Sequence, residues 1–189
     1  MDQLLNHIQA NLPDVSAEAL TIISDSCTTV DRKKGELLLE QGQICRHLYF
    51  LVEGMTRSFF VRDGNDITTW FSFRNDFITS FTSFFPKKTS YESIEMLSDG
   101  VLCQIGYEQL ISDRPRSAEI ERVINHFTVQ YTIQLENRLL MLQTNTAAEK
   151  YQAILKLEPN LVRHIPGKHL ASYLGITRET LSRIRSAIN

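Results

Sequence analysis

The stretch 170-LASYLGITRETLSRIR-185 decides how the rest of the chain is read. A helix-turn-helix needs a small residue where its second helix crosses the first and a residue at ease in the left-handed backbone region at the turn. It also needs fixed apolar positions that lock the pair. Ala171 is the small residue and Gly175, four later, is the turn. Leu170, Leu174, Ile176, Leu181 and Ile184 form the apolar set. Thr177 suits the N-cap of the second helix, where its hydroxyl accepts from a free backbone N–H. Burying the apolar positions leaves Arg178, Glu179, Ser182, Arg183 and Arg185 outside. Arginine grips the O6 and N7 edge of guanine with two hydrogen bonds, and glutamate accepts from the N4 amino group of cytosine. The pattern predicts a helix that enters the major groove of double-stranded DNA. Arg178, Glu179 and Arg183 then face base edges or phosphate, while Thr177, Ser182, Lys168 and Arg185 position the backbone.

Charge agrees with that reading. The chain carries a net −2, but residues 163–189 hold Arg163, Lys168, Arg178, Arg183 and Arg185 against Glu179, a local +4 that leaves −6 elsewhere. Only the tail is built to approach an anion.

Upstream, three regions follow one another. Leu4, Leu5, Ile8, Leu12, Leu20 and Ile23 mark a short helical start. Then come runs such as GELLLEQGQ, HLYFLVEG and SIEMLSDGVLCQIG, short apolar or alternating segments cut by turn residues. Asp63-Gly64-Asn65 between TRSFFV and ITTWFSF reads as a hairpin turn. Many short strands at this spacing predict a jelly-roll-like β-roll. From about Ser117 to Leu142 there is no Gly or Pro, and Ile120, Ile124, Phe127, Tyr131, Leu135, Leu139 and Leu142 recur every three or four residues. That stripe predicts one helix of roughly 26 residues, about 39 Å long. It either packs on its own roll or pairs with the same helix of a second copy, and its length favours the pair. The fold class expected is α+β: a β-roll over 1–116, a dimerisation helix over 117–145 and a helical DNA-binding domain over 146–189.

GITRETLSRI joined to GELLLEQGQ…LYFLVEG resembles the Crp–Fnr family of bacterial transcription regulators over nearly the whole length. The glycines Gly35, Gly42 and Gly54 and the set Arg178, Glu179, Arg183 carry the likeness. The resemblance implies a cyclic-nucleotide-binding-like β-roll, a homodimer and a palindromic DNA site, with RNA polymerase as a further partner. It also implies a wing after the recognition helix, for which a chain ending at Asn189 leaves no room. Members that bind cyclic AMP carry Gly-Glu after the DF(I) segment and Arg-Ser further on. Here Thr79 and Ser80 stand at the first pair and Ser90 and Tyr91 near the second, with neither the glutamate nor the arginine in place. Cyclic nucleotide in the usual manner is therefore not expected, and no cofactor is assigned. Thr79, Ser80, Phe81, Ser90, Tyr91 and Tyr131 are the candidate effector pocket. Its aromatic groups, with Phe73, Phe77 and Phe84, either fill the roll or line a space for an apolar effector. A sensor or interaction protein of that kind, with weak or no DNA binding, is the alternative reading.

Other chemistries lack their residues. Cys27, Cys45 and Cys103 are far apart, form no CxxC and cannot hold an iron–sulfur cluster. His7, His47, His126, His164 and His169 show no ligand spacing, and a cupin-type metal face would need more than His47 and Glu53. His164 and His169, in the basic tail, are expected on the phosphate side or in solvent. No nucleophile triad, paired carboxylates or phosphate-binding glycine loop appears, so no metal and no enzyme activity is expected. The opening MDQLLNHIQANL has no signal-peptide character and no run spans a bilayer, which suggests the cytoplasm.

Overall fold

The computed structural model describes residues 1–111, 118–157 and 164–188. Two helices, α1 (Asp2–Asn11) and α2 (Ala17–Asp25), lead into eight strands. These are β1 (Cys27–Arg32), β2 (Leu37–Leu39), β3 (His47–Glu53), β4 (Thr56–Arg62), β5 (Asn65–Ser72), β6 (Phe77–Ile78), β7 (Ser93–Met96) and β8 (Gly100–Gly106). A one-turn helix α3 (Phe81–Phe84) interrupts them after β6, and α4 (Tyr107–Ile111) follows β8. The long helix α5 (Ala118–Thr144) and then α6 (Ala147–Leu157), α7 (Gly167–Leu174) and α8 (Arg178–Ile188) complete the described chain.

The strands form two antiparallel four-stranded sheets, ordered β1-β8-β3-β6 and β2-β7-β4-β5. Their inner faces meet through Tyr49, Leu51, Ile78, Phe84, Ile94, Met96 and Leu102, the interior of the roll. The expected hairpin joins β4 to β5: Asp63 and Gly64 both have positive φ, 52° and 73°, and Arg62 pairs with Asn65. Two left-handed central residues match the twist of the flanking strands. Gly54 turns β3 into β4 at φ 107°, where a Cβ would lie 2.9 Å from the carbonyl oxygen of Asp99. Only glycine fits that approach.

The α+β class, the long helix and the three tail helices are as read from the sequence. The expected boundary near residues 116 and 117 lies outside the described residues. Of the two readings of α5, packing on its own roll holds for the first half of the stripe: Ile120, Val123 and Phe127 pack under α1 and α2 beside Phe50, and Phe127 meets Phe77 at 4.6 Å between ring centroids. Tyr131 stacks on Phe81 at 4.3 Å. The helix therefore begins as a core element of its own roll. Its uncovered apolar side chains are Val129, Ile133, Leu135, Leu139 and Leu140, each 41–55% exposed. The reason is that two short helices precede the roll and claim the first half of the stripe, with Ser16 capping α2 and hydrogen-bonded to Glu119.

The C-terminal helices share one core with the second sheet. Met55 and Phe71 of the roll lie in the same cluster as Tyr151, Ile154, Ile165, Leu170, Leu174 and Leu181.

Candidate functional site

In the tail, α7 and α8 are joined by a tight turn at Gly175, as the sequence pattern demands. Leu170, Ala171, Leu174 and Leu181 are buried between α6, α7 and α8. Gly175 sits in the left-handed region, φ 65° and ψ 36°, and closes α7: the Gly175 N–H donates to Ser172 O at 3.1 Å and the Ile176 N–H to Ala171 O at 3.0 Å. Such paired bonds satisfy carbonyls a helix end leaves free. Thr177 Oγ1 accepts from the Thr180 N–H at 3.1 Å, the N-cap bond of α8. Arg178, Glu179, Ser182 and Arg183 are exposed along one side of α8. Arg183 donates to Thr180 Oγ1 at 3.3 Å. The carboxyl of Glu179 is held below the usual range, first by its own backbone N–H and then by the Thr177 hydroxyl. The helix therefore presents fixed guanidinium and carboxylate groups to solvent. Two predicted residues face elsewhere. Arg185 turns back over the Tyr151 ring, 5.9 Å from its centroid, and Lys168 stands 3.9 Å from Asp66 on β5.

That second contact belongs to a joint that sequence reasoning missed. Arg57 on β4 is 2% exposed, and its guanidinium binds Asp66 at 2.6 Å and Glu95 at 2.6 Å. Its Nη1 also stands 2.5 Å from Nδ1 of His169, on α7. A guanidinium only donates, so this ring nitrogen must be unprotonated. Burial first, then the Arg57 charge, pushes the His169 pKa below the ordinary value. His169 is thus half-buried at a joint between roll and tail, and the expectation of a solvated or phosphate-facing side chain is corrected. Beside it, the Thr68 N–H donates to Ser172 Oγ at 2.9 Å, which donates in turn to Asp66 O at 3.3 Å. On the other side Arg138 of α5 donates to Tyr173 O at 3.0 Å, its guanidinium 3.5 Å above the Tyr173 ring.

Next to this joint lies a cavity of about 420 Å³, open between β5, α5 and α7. Thr79, Phe81, Tyr91 and Tyr131, four of the six candidate effector residues, line it. Ser80 and Ser90 do not; they are buried behind it, linked Oγ to Oγ at 3.1 Å. What they support is Glu92, which the sequence reading passed over. Ser80 Oγ donates to Glu92 Oε1 at 2.8 Å and Thr69 Oγ1 to Oε2 at 3.3 Å, while the Glu92 N–H donates to Ser90 Oγ at 3.1 Å. Burial pushes the Glu92 carboxyl above the usual carboxylate range. Tyr131, pushed up to about 12 by burial and then by the Glu92 charge, faces the same space. The aromatic residues divide between both expectations: Phe84 is fully buried and fills the roll, whereas Phe77, Phe81 and Tyr91 are wall, joined there by Trp70. Lys87 turns away to Glu108 at 3.2 Å.

Residues 29–112 match the cyclic nucleotide-binding domain family. Solved structures resemble the whole chain. FixK2 from Bradyrhizobium japonicum has a TM-score of 0.72 at 20% identity, covering 86% of this chain and 84% of its own. The c-di-GMP-responsive global regulator CLP of Xanthomonas campestris gives 0.71 at 14%, covering 92% and 91%. A transcriptional regulator of the Crp/Fnr family from Eubacterium rectale gives 0.70 at 19%, covering 93% and 84%. The fold is that of the Crp/Fnr regulators. No curated protein sequence matches the chain.

Within the Crp/Fnr fold, β1–β8 and α3 form the nucleotide-binding-type roll, and α6, α7 and α8 form the tail appended to it. Among the described residues no group of three or more His, Cys, Asp or Glu is placed to hold a metal, and no helix is long and apolar enough to cross a membrane. Burial pushes the Cys27 thiol up to about 12, which keeps it protonated and a poor nucleophile.

Proposed function

We propose that the chain is a homodimeric, sequence-specific DNA-binding transcription regulator of the Crp/Fnr type, and not an enzyme. The observation that carries this reading is the outer side of α8, where Arg178, Glu179, Ser182 and Arg183 are exposed on a helix fixed by Gly175 and Thr177. Arg178 and Arg183 contact guanine edges or phosphate and Glu179 a cytosine amino group. A dimer follows from the uncovered face of α5, where Val129, Ile133, Leu139 and Leu140 form a strip a second copy would bury. Two-fold pairing there sets the two reading helices about 34 Å apart, one turn of DNA.

Cyclic AMP does not gate it in the usual way. A cyclic phosphate needs cationic or N–H donors, whereas the wall behind Thr79 carries the Glu92 carboxylate and two serines already engaged with it. The protein works where DNA is, in the cytoplasm of a bacterial cell, with RNA polymerase as the partner that reads out its position.

Selection of bound sites from a random duplex pool, with and without cell extract, tests the reading. A palindrome in either arm supports it; binding with equal strength to any duplex, steeply lost with salt, would reduce it to phosphate attraction. Arg183→Ala should cost about 1–3 kcal/mol on the selected site and far less on random DNA.

A further inference from the structure

The cavity beside α5 has charge at both ends and no occupant among the chain's own side chains. Glu92 supplies one end. A carboxylate offers about four acceptor directions, and the protein fills two, from Ser80 and Thr69. Both of these partners are neutral hydroxyls rather than cations. A buried charge without a cation is costly, and an arriving cation would relieve that cost for a carboxylate only 8% exposed. Around it stand π faces: Phe81 stacked on Tyr131, and Trp70 edge-on to Tyr131 at 5.6 Å between centroids. Aromatic faces together with a carboxylate are the chemistry that holds a cationic nitrogen.

Arg138 supplies the other end. It lies seven residues beyond Tyr131 on α5, two turns along the same side, or about 10 Å. Its Nη2 is bound to Tyr173 O, but its Nη1 is buried and has no hydrogen-bond partner. Both residues line the same cavity. An unfilled donor at one end and unfilled acceptor directions at the other specify a ligand with opposite charges.

We infer that the cavity binds a small zwitterion, its cationic nitrogen on Glu92 between Trp70, Phe81 and Tyr131 and its oxyanion on Arg138. This ligand class is opposite in its key charge to a cyclic nucleotide, which brings only an anion. Because Arg138 also holds Tyr173 of α7, the oxyanion shares the guanidinium that anchors the tail. That regulatory consequence rests on the DNA-binding reading; the binding itself does not.

The test uses the full chain without DNA, so the two readings fail separately. A series of ω-amino acids from 4-aminobutyrate to 8-aminooctanoate, with 4-(aminomethyl)benzoate, is titrated and followed by calorimetry. Each is matched by the amine lacking its carboxylate and the acid lacking its amine, and cyclic AMP is added as an anion. The expected result is an optimum at one length, with both matched partners at least tenfold weaker. Glu92→Gln should weaken the best zwitterion at least tenfold and leave the matched acid unchanged. Arg138→Gln should weaken the best zwitterion at least tenfold and leave the matched amine unchanged. Glu92→Gln keeps the volume and an acceptor for Ser80, and the ligand-side deletions need no variant at all. No binding by any member of the series, or equal binding by the matched acids or cyclic AMP, overturns the inference.

Discussion

Arg57 offers the sharpest test of how the tail is fastened to the roll. Arg57→Met keeps roughly the length of the side chain and removes every donor. The structure shows what is lost: Nε to Glu95 at 2.7 Å, Nη1 and Nη2 to Asp66 at 2.6 and 3.0 Å, and Nη1 to Thr68 at 3.3 Å. The donor for His169 Nδ1 goes too. Two carboxylates then face each other with only the exposed Lys168 ammonium, 3.9 Å from Asp66, nearby. Removing one partner of a buried pair costs about 3–5 kcal/mol. Asp66 and Glu95 are 18% and 20% exposed, so water relieves part of the penalty. The low end, about 3 kcal/mol, is expected, and for a chain of this size it lowers Tm by about 6–12 °C. Urea unfolding at neutral pH measures it directly. Adding Asp66→Asn and Glu95→Gln to Arg57→Met should restore more than half the loss, since the penalty lies in stranded charge rather than in missing contact. A loss under about 1 kcal/mol, or a triple variant no better than the single one, would refute the reasoning.

Three further outcomes are expected. His169 has a depressed pKa, so the folded state takes up its proton less readily than the unfolded chain; the contribution is present above pH about 6.5 and declines as pH falls below it. His169→Gln retains an acceptor for Arg57 and should flatten the stability difference measured between pH 7.5 and 5.5. Glu92 behaves with the opposite sign: its raised pKa means the folded state prefers the neutral form, so the charge costs stability above that pKa. Glu92→Gln should therefore raise Tm at neutral pH, by about 2–4 °C for a gain of about 1 kcal/mol, in the same variant that loses zwitterion binding. Gly175→Ala meets nothing closer than Leu142 Cδ2 at 3.9 Å, so its cost is backbone strain alone. About 1–2 kcal/mol is expected, a fall in Tm of about 2–8 °C, with Gly175→Asn milder.

The fold was legible wherever the deciding residues are neighbours in the chain. Gly175 and Thr177 announce a turn and a cap because both motifs are closed by bonds three or five residues long. The hairpin at Asp63-Gly64 is equally local. The long helix was legible in length but not in partner. Its three-and-four repeat says only that one side is covered, and the covering by α1 and α2 depends on a chain segment more than a hundred residues away, as the Ser16–Glu119 contact shows.

The cavity charges were illegible for a related reason. The resemblance directed attention to Ser80, where the family's glutamate is expected, and there the sequence has none. The carboxylate arrives instead from Glu92, twelve residues on, and meets Ser80 only because the loop after α3 folds back on β6. Arg57 looks like an ordinary strand residue in TRSFFVR, the same type as exposed Arg62 five positions later. Nothing in that run shows that β7 will bring Glu95 opposite it, or that α7 will bring His169 from 112 residues away. A helix repeats its faces, so an apolar or a basic stripe can be read in advance. A single buried charge has no period, and it is marked only by which of its donors or acceptors stay empty once sheet and helices have closed. By that criterion Arg57 is a fastening, since its Nε, Nη1 and Nη2 are all met, whereas Glu92 keeps unfilled acceptor directions and Arg138 an unmet donor.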